Sequence, residues 1–132
     1  MCVSDFTATT LQELAVKLIS NDDCKSYDFY RNLHEPSMMC AVSADRESNG
    51  CHGDSGGPLQ CVSRNGIWKL IGLVSYGPPE CPGNMPGGYT RVASLVNWIN
   101  KFITGMYESH STQGRSVSVC LSVHPCACLS HS

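Results

Sequence analysis

The sequence predicts an all-β fold of the barrel type. Short apolar segments recur at 38–42, 58–62, 67–76 and 88–92, and Gly, Pro, Asn and Ser turn residues separate them. The 132-residue chain carries nine cysteines, a density that predicts disulfides. A hydrophobic content of 42 % and a net charge of −2 describe a globular domain, and they exclude the basic character of nucleic-acid or anionic-membrane binding.

The elements that precede the first of these segments follow from local pattern. Apolar and polar residues alternate over 11–19, which predicts an additional strand. Asn21, Asp22 and Asp23 follow it as an N-cap with acids in the first helical turn. We therefore expect a short helix over 22–30.

The C-terminal part of the chain changes character after one further helix. Apolar residues at helical spacing over 94–103 predict this helix, with Ser94 as its N-cap and Gly105 as its stop signal. Beyond it the sequence is rich in Ser, His and Cys and poor in large apolar residues. We divide the chain into an atypical segment 1–10, a folded domain 11–104 and a tail 105–132 that we expect to be disordered.

One loop carries the chemistry-bearing pattern. Residues 51–61 read Cys-His-Gly-Asp-Ser-Gly-Gly-Pro-Leu-Gln-Cys, so that glycines flank Ser55 and disulfide-capable cysteines bracket the loop. A turn without chemistry is the default interpretation of an isolated G-x-S-x-G. The nucleophile elbow of α/β-hydrolases requires a helix directly after the serine, but Pro58 and a strand-like segment follow here.

The residues downstream agree with a different family. Ser75-Tyr76-Gly77 ends an apolar run, 86–92 read Pro-Gly-Gly-Tyr-Thr-Arg-Val, and the helix at 94–103 comes last. Together with the Ser55 loop, these motifs resemble the chymotrypsin/trypsin-like serine peptidases over about residues 11–103. The resemblance implies an incomplete second barrel of their two-barrel fold, and it implies serine endopeptidase activity on peptide or protein substrates.

The resemblance also implies roles for individual residues. Ser55 would be the nucleophile, the N–H groups of Gly53 and Ser55 would face the oxyanion, and Asp54 would form the ion pair made on activation. Five residues would bind substrate: Asn49, Ser75, Tyr76, Gly77 and Gly87. Trypsin-like members place an aspartate where this chain has Asn49, so we expect a preference for large uncharged side chains over Lys or Arg.

Disulfides are likewise implied by the family. Cys24 would pair with Cys40 and Cys51 with Cys81, and Cys2 is the candidate partner of Cys61. Disulfides form and persist in oxidising environments, so they predict that the protein is secreted. The first 20 residues nevertheless have neither a basic n-region nor an unbroken apolar stretch, so we expect no signal peptide in this chain, and we expect no membrane-spanning segment.

The family's catalytic histidine and aspartate have no counterpart. Neither a Thr-Ala-Ala-His-Cys segment nor an Asp-Ile-Ala-Leu-like segment occurs, and His52 is constrained beside Cys51. We therefore expect this chain to be inactive alone, as the product of a truncated or alternative transcript, with a separate first barrel as one conceivable partner.

Two alternatives stay open. In the first alternative, the chain is a non-catalytic module that binds a peptide or a protease inhibitor. In the second, the tail acts in metal or redox chemistry through Cys120, Cys126 and Cys128. The C-x-C spacing fits no standard zinc module, so we expect no metal and no cofactor.

Overall fold

The computed structural model describes residues 10–107 and 126–130. Six strands make up the sheet: β1 Gln12–Ile19, β2 Met38–Ser43, β3 Pro58–Val62, β4 Trp68–Tyr76, β5 Gly87–Arg91 and β6 Cys126–Ser130. All neighbouring strands are antiparallel, and they close into a barrel in the order β1-β2-β5-β4-β3-β6. Strands β1 to β5 form the incomplete chymotrypsin-like barrel that the sequence predicts, at the predicted places within two residues.

Two hydrophobic clusters lie on opposite faces of β2, because side chains along a strand alternate between its faces. Met39 and Ala41 join the larger cluster inside the barrel, which is centred on the fully buried Leu59. Cys40, from the other face, packs with Tyr30 in the smaller cluster. The smaller cluster lies next to the residues of the candidate site.

The predicted short helix is present but divided. Helix α1 covers Asn21–Lys25 and a 3-10 helix covers Asp28–Tyr30. Its N-cap is Ser20 and not Asn21, because the Ser20 side chain accepts a hydrogen bond from the Asp23 N–H at 3.0 Å.

The C-terminal helix differs from the prediction at both ends. A 3-10 helix spans Val92–Leu95, and helix α2 spans Val96–Tyr107. Ser94 is not its cap, since the Ser94 hydroxyl donates to the carbonyl of Arg91 at 2.7 Å. Gly105 does not end the helix either, because the helix continues through it for two residues. No helix within the described residues is long and apolar enough to cross a bilayer.

The tail contributes a strand that the sequence analysis does not predict. Strand β6 lies between β1 and β3, with Ala15 opposite Ala127 and Gln60 opposite Ala127 on its other side. Without β6, both neighbours would present unpaired N–H and C=O groups to water. These five tail residues thus form a strand, and the disorder expected of the tail as a whole stays a prediction. The rest of the tail, with Cys120, and the segment containing Cys2 lie outside the described residues.

Candidate active site

The loop that carries Ser55 connects β2 to β3, and glycines set its path. Gly53 and Gly56 adopt φ angles of 102° and 83°, in the left-handed region that glycine occupies without steric cost. Gly56 N–H donates to the carbonyl of Val74 at 2.8 Å, and Val74 N–H donates to the carbonyl of Gly57 at 2.9 Å. This reciprocal pair fixes the loop to strand β4.

The backbone N–H groups on either side of Ser55 differ in whether the described residues supply an acceptor. The N–H groups of Asp54, Gly56 and Gly57 all donate to backbone carbonyls. Among the described residues, by contrast, the N–H groups of Gly53 and Ser55 have no acceptor. They are the two groups for which the sequence analysis predicts contact with an oxyanion.

Ser55 is exposed and lines a cleft on the surface. No hydrogen bond joins Oγ to any of the described side chains, including the two described histidines, His34 and His52. Within residues 10–107 and 126–130, the serine therefore has no base in hydrogen-bonding contact.

Asp54 lies on the inner side of the same loop. Its side chain is 3 % exposed, and its Oδ2 accepts a hydrogen bond from the Cys51 N–H at 2.7 Å. From sequence we expect this carboxylate, when it lacks an activating amine, to stay hydrated or to be buried without a partner. Neither is observed, because the loop's own backbone supplies a donor. The role of Asp54 in an activation ion pair stays a prediction.

A cleft of about 210 Å³ opens beside Ser55. All five residues for which the sequence analysis predicts substrate binding line it: Asn49, Ser75, Tyr76, Gly77 and Gly87. Gly53 does not line it and lies in the loop alongside. The structure thus places the predicted nucleophile and the predicted pocket together.

The amide of Asn49 has a defined orientation at this cleft. Its Nδ2 donates both hydrogens, to the carbonyls of Pro82 at 3.0 Å and of Met85 at 3.1 Å. Oδ1 then points towards Gly87, where a Cβ atom would lie 3.4 Å from it. Since both donors are used, Asn49 offers the cleft only an acceptor.

Two tyrosines support the opposite wall. The Tyr30 hydroxyl is buried and donates to the carbonyl of Pro86 at 2.5 Å, and its ring contacts that of Tyr76 at 5.4 Å between centroids. Burial raises the pKa of Tyr76 to about 12, and its hydroxyl has no hydrogen-bond partner among the described residues. Burial also raises the pKa of Tyr30. The Tyr76 ring lies over Gly88, where a Cβ would come within 2.5 Å of it.

Two of the three disulfides that the family implies are present in the described residues. Cys51 and Cys81 join the Ser55 loop to the segment after β4, and Cys24 and Cys40 lie in the smaller core cluster. Cys61 is also disulfide-bonded. Its proposed partner Cys2 lies outside the described residues, so that pairing stays a prediction.

The loop over 45–48 is exposed to solvent, and hydrogen bonds to Asp45 hold its backbone. Asp45 accepts hydrogen bonds from the N–H of Glu47 and from the hydroxyl of Ser43, and these bonds hold the pKa of its carboxyl far below its usual range. A Cβ on Gly83 would meet the backbone of Glu47 at 2.1 Å. This close approach brings the loop against the segment that accepts from Asn49.

The sequence analysis describes His52 as constrained beside Cys51 and gives it no catalytic role. It is exposed, but it also lines the cleft, and its Nε2 donates to the carbonyl of Pro79 at 3.3 Å. The feature of the sequence that could have indicated a position at the cleft is that His52 lies between Cys51 and Gly53 in the Ser55 loop. His34 is exposed and hydrogen-bonded to Ser37, and His110 lies outside the described residues.

A serine in a glycine-rich loop, beside a cleft walled by Ser75–Gly77 and Gly87, defines a serine peptidase of the chymotrypsin/trypsin-like class. Comparison with known proteins agrees: the family described as Trypsin matches residues 3–99. This chain belongs to the chymotrypsin/trypsin-like serine peptidase family.

The relatives are considerably longer proteins. The chain is 43 % identical over 98 residues to the hepatocyte growth factor activator serine protease of Mus musculus, covering 74 % of this chain and 15 % of the relative. The Homo sapiens protein of the same name is 42 % identical over 93 residues, covering 70 % and 14 %. The chain therefore spans about one seventh of the length of these relatives.

Proposed function

We propose that this chain is the nucleophile-bearing part of a secreted serine endopeptidase and that its cleft binds an extended peptide. The observation that carries this proposal is the presence of Ser55 and all five predicted substrate-binding residues around one cleft. Strand β3 pairs with β4 only as far as Leu73, so Ser75–Gly77 has a strand neighbour on one side, β5. A peptide adding as a strand on the other side fits this arrangement.

The chemistry is acyl transfer. Ser55 Oγ would attack the scissile carbonyl, and the unused N–H groups of Gly53 and Ser55 would donate to the negative charge that develops on its oxygen. The hydroxyl proton needs an acceptor, which the described residues do not provide. Loss of the base alone typically lowers turnover by about a millionfold. The chain alone is therefore inactive, and a separate polypeptide that carries the first barrel would have to supply the imidazole.

The specificity follows from Asn49. A side chain entering the cleft meets the Oδ1 acceptor and no negative charge, so a neutral donor such as a tyrosine hydroxyl is favoured. A Lys or Arg cation would be desolvated without a counter-charge and is disfavoured. The sequence analysis predicts large uncharged side chains, and the amide orientation narrows this class to those with a donor at the tip.

Binding is tested with peptide aldehydes, which have no leaving group, so that addition of the Ser55 hydroxyl would give only a reversible hemiacetal and no cleavage. Gly77→Leu should weaken binding of a tyrosine-containing peptide by at least about tenfold, because the leucine side chain would enter the cleft. The backbone tolerates the change, since the nearest atom to a Cβ at position 77 is the Tyr30 hydroxyl at 3.9 Å. Arg64→Leu, an exposed position on the β3–β4 turn, adds the same group elsewhere and should bind normally. Equal affinity of all three chains would refute the site.

Catalysis is tested separately with a fluorophosphonate, in which Ser55 Oγ would displace fluoride from phosphorus. The full chain should label slowly, at the level of a Ser55→Ala control. Rapid labelling confined to the chain with Ser55 would refute inactivity while leaving the family unchanged.

A second function is favoured by one observation, the absence of any hydrogen bond from Ser55 Oγ to the described residues. The chain would then hold a peptide or a protease inhibitor without cutting it. Adding a first-barrel polypeptide distinguishes the two: recovery of amide hydrolysis supports the peptidase part, and unchanged binding without hydrolysis supports the binding module.

A further inference from the structure

Three potential metal ligands meet at the mouth of the cleft. The sulfur atoms of Cys51 and Cys81 and a ring nitrogen of His52 all lie within 4.8 Å of one another. All three residues line the cleft together with Ser55. In the oxidised chain the two sulfurs are bonded to each other and have no thiolate to offer.

We propose that reduction of the Cys51–Cys81 disulfide creates a zinc site formed by both thiolates and the His52 imidazole. Two small-molecule thiols would reduce the bond: the protein gains two thiols, and the reductant leaves as its own disulfide. Each protein thiol then loses its proton to solvent as its sulfur donates a lone pair to Zn²⁺. The resulting Cys₂His set matches a known catalytic-type zinc arrangement that leaves the fourth position to water.

The distances suit the ion. With Zn–S near roughly 2.3 Å and Zn–N near roughly 2.1 Å, tetrahedral coordination sets the ligand atoms about 3.5 to 3.8 Å apart. The two sulfur atoms must separate once their bond is broken, and the three ligand atoms already lie within 4.8 Å of one another. The Cα atoms are 5.5 Å apart, so rotation of two partly exposed side chains supplies the movement.

The surroundings of His52 also suit a ligand. A carbonyl oxygen can only accept, so the contact of Nε2 with Pro79 O at 3.3 Å requires the proton on Nε2 and leaves the lone pair on Nδ1. Metal-binding histidines commonly donate their second N–H to a backbone carbonyl in this way. The side chain is exposed, so the ion can enter from solvent.

Other groupings in the described part of the chain do not provide such a set. The thiols of Cys24 and Cys40 would be 0 % and 1 % exposed among Tyr30 and Leu33, without a histidine in their cluster. The proposed site therefore depends on the two cysteines at the cleft, and it does not depend on the reactivity of Ser55.

The test measures alkylation of individual cysteines in the full reduced chain, with and without ZnCl₂, by peptide mapping. Zinc should slow alkylation of Cys51 and Cys81 by at least about tenfold and leave Cys24 and Cys40 unaffected. Mapping by residue separates this site from the tail cysteines. His52→Gln should abolish the protection, whereas His34→Gln, a matched exposed histidine, should retain it.

Each outcome decides the proposal. Protection of Cys51 and Cys81 that requires His52 supports the site. Protection that persists in His52→Gln refutes the three-ligand set. Absence of protection in the reduced wild-type chain refutes the site altogether, whether or not the chain stays folded. As a second readout, Co²⁺ should give a thiolate charge-transfer band with the reduced chain and with His34→Gln, and a reduced band with His52→Gln.

Discussion

Removing each disulfide separately should rank the two bonds in opposite order for stability and for peptide binding. Cys51 and Cys81 are 30 positions apart, and Cys24 and Cys40 are 16 apart. Loop-closure entropy then gives about 3.6 kcal/mol of stabilisation for the longer loop and about 3.1 kcal/mol for the shorter one. On this ground alone, Cys51→Ala/Cys81→Ala would be the costlier change.

Burial reverses this order. The sulfurs of Cys24 and Cys40 lie in a packed core, whereas Cys51 and Cys81 are partly exposed. Replacing two buried sulfur atoms adds about 0.8 kcal/mol each, on the scale of a buried methylene. We therefore expect Cys24→Ala/Cys40→Ala to lower the free energy of unfolding by about 4.7 kcal/mol and Cys51→Ala/Cys81→Ala by about 3.6 kcal/mol.

Urea denaturation followed by circular dichroism under oxidising conditions measures both values. Peptide binding should show the opposite sensitivity, because Cys51 and Cys81 line the cleft and Cys24 and Cys40 do not. A smaller loss of stability for Cys24→Ala/Cys40→Ala would refute the packing argument. Unchanged peptide affinity in Cys51→Ala/Cys81→Ala would refute the assignment of this bond to the site.

Three further predictions concern the core and the cleft wall. Leu59→Ala should lower the free energy of unfolding by about 2 to 5 kcal/mol, because its side chain is fully buried. Leu70→Ala, at a side chain that is 44 % exposed, should lower it by less than about 1 kcal/mol. Similar values for the two variants would contradict the core assignment. Gly88→Ala should cost about 1 to 3 kcal/mol because its Cβ overlaps Tyr76, whereas Gly77→Ala should be tolerated, as thermal melts of both variants will show. Tyr76→Phe should raise stability by about 1 kcal/mol at neutral pH, since it removes a buried hydroxyl for which residues 10–107 and 126–130 supply no hydrogen-bond partner. The pKa of the Tyr76 hydroxyl is about 12 in the folded chain and 10.0 in the unfolded chain, so the free energy of unfolding of the wild type should fall as pH rises from 10 to 12. The free energy of unfolding of Tyr76→Phe should fall less over the same range. Equal slopes in alkaline titrations would count against the buried hydroxyl.

The elements that could be predicted from sequence are those governed by local pattern. The alternation of Leu14, Val16 and Leu18 predicted β1, and these residues do face the core. The glycines around Ser55 predicted a tight loop, and two of them adopt left-handed backbone angles. The pocket residues came from motif resemblance, which carries spatial information that periodicity does not.

The features that sequence could not reveal depend on distant partners. Nothing local indicates that Cys126–Ser130 forms a strand, because its conformation is stabilised by β1 and β3 rather than by its own composition. The helix is capped by Ser20 and not by the predicted Asn21, because the Ser20 hydroxyl oxygen accepts a hydrogen bond from the Asp23 N–H. The burial of Asp54 with a donor from Cys51 likewise requires knowing how the loop folds back on itself.

The position of β6 has a kinetic consequence. Gln12 pairs with Ser130, residues separated by nearly the whole chain, whereas β3 and β4 are joined by a short hairpin turn. Contacts between such distant positions impose a large loop-closure cost and correlate with slow folding. We therefore expect the first and last strands to join late in folding, after the hairpin of β3 and β4 has formed.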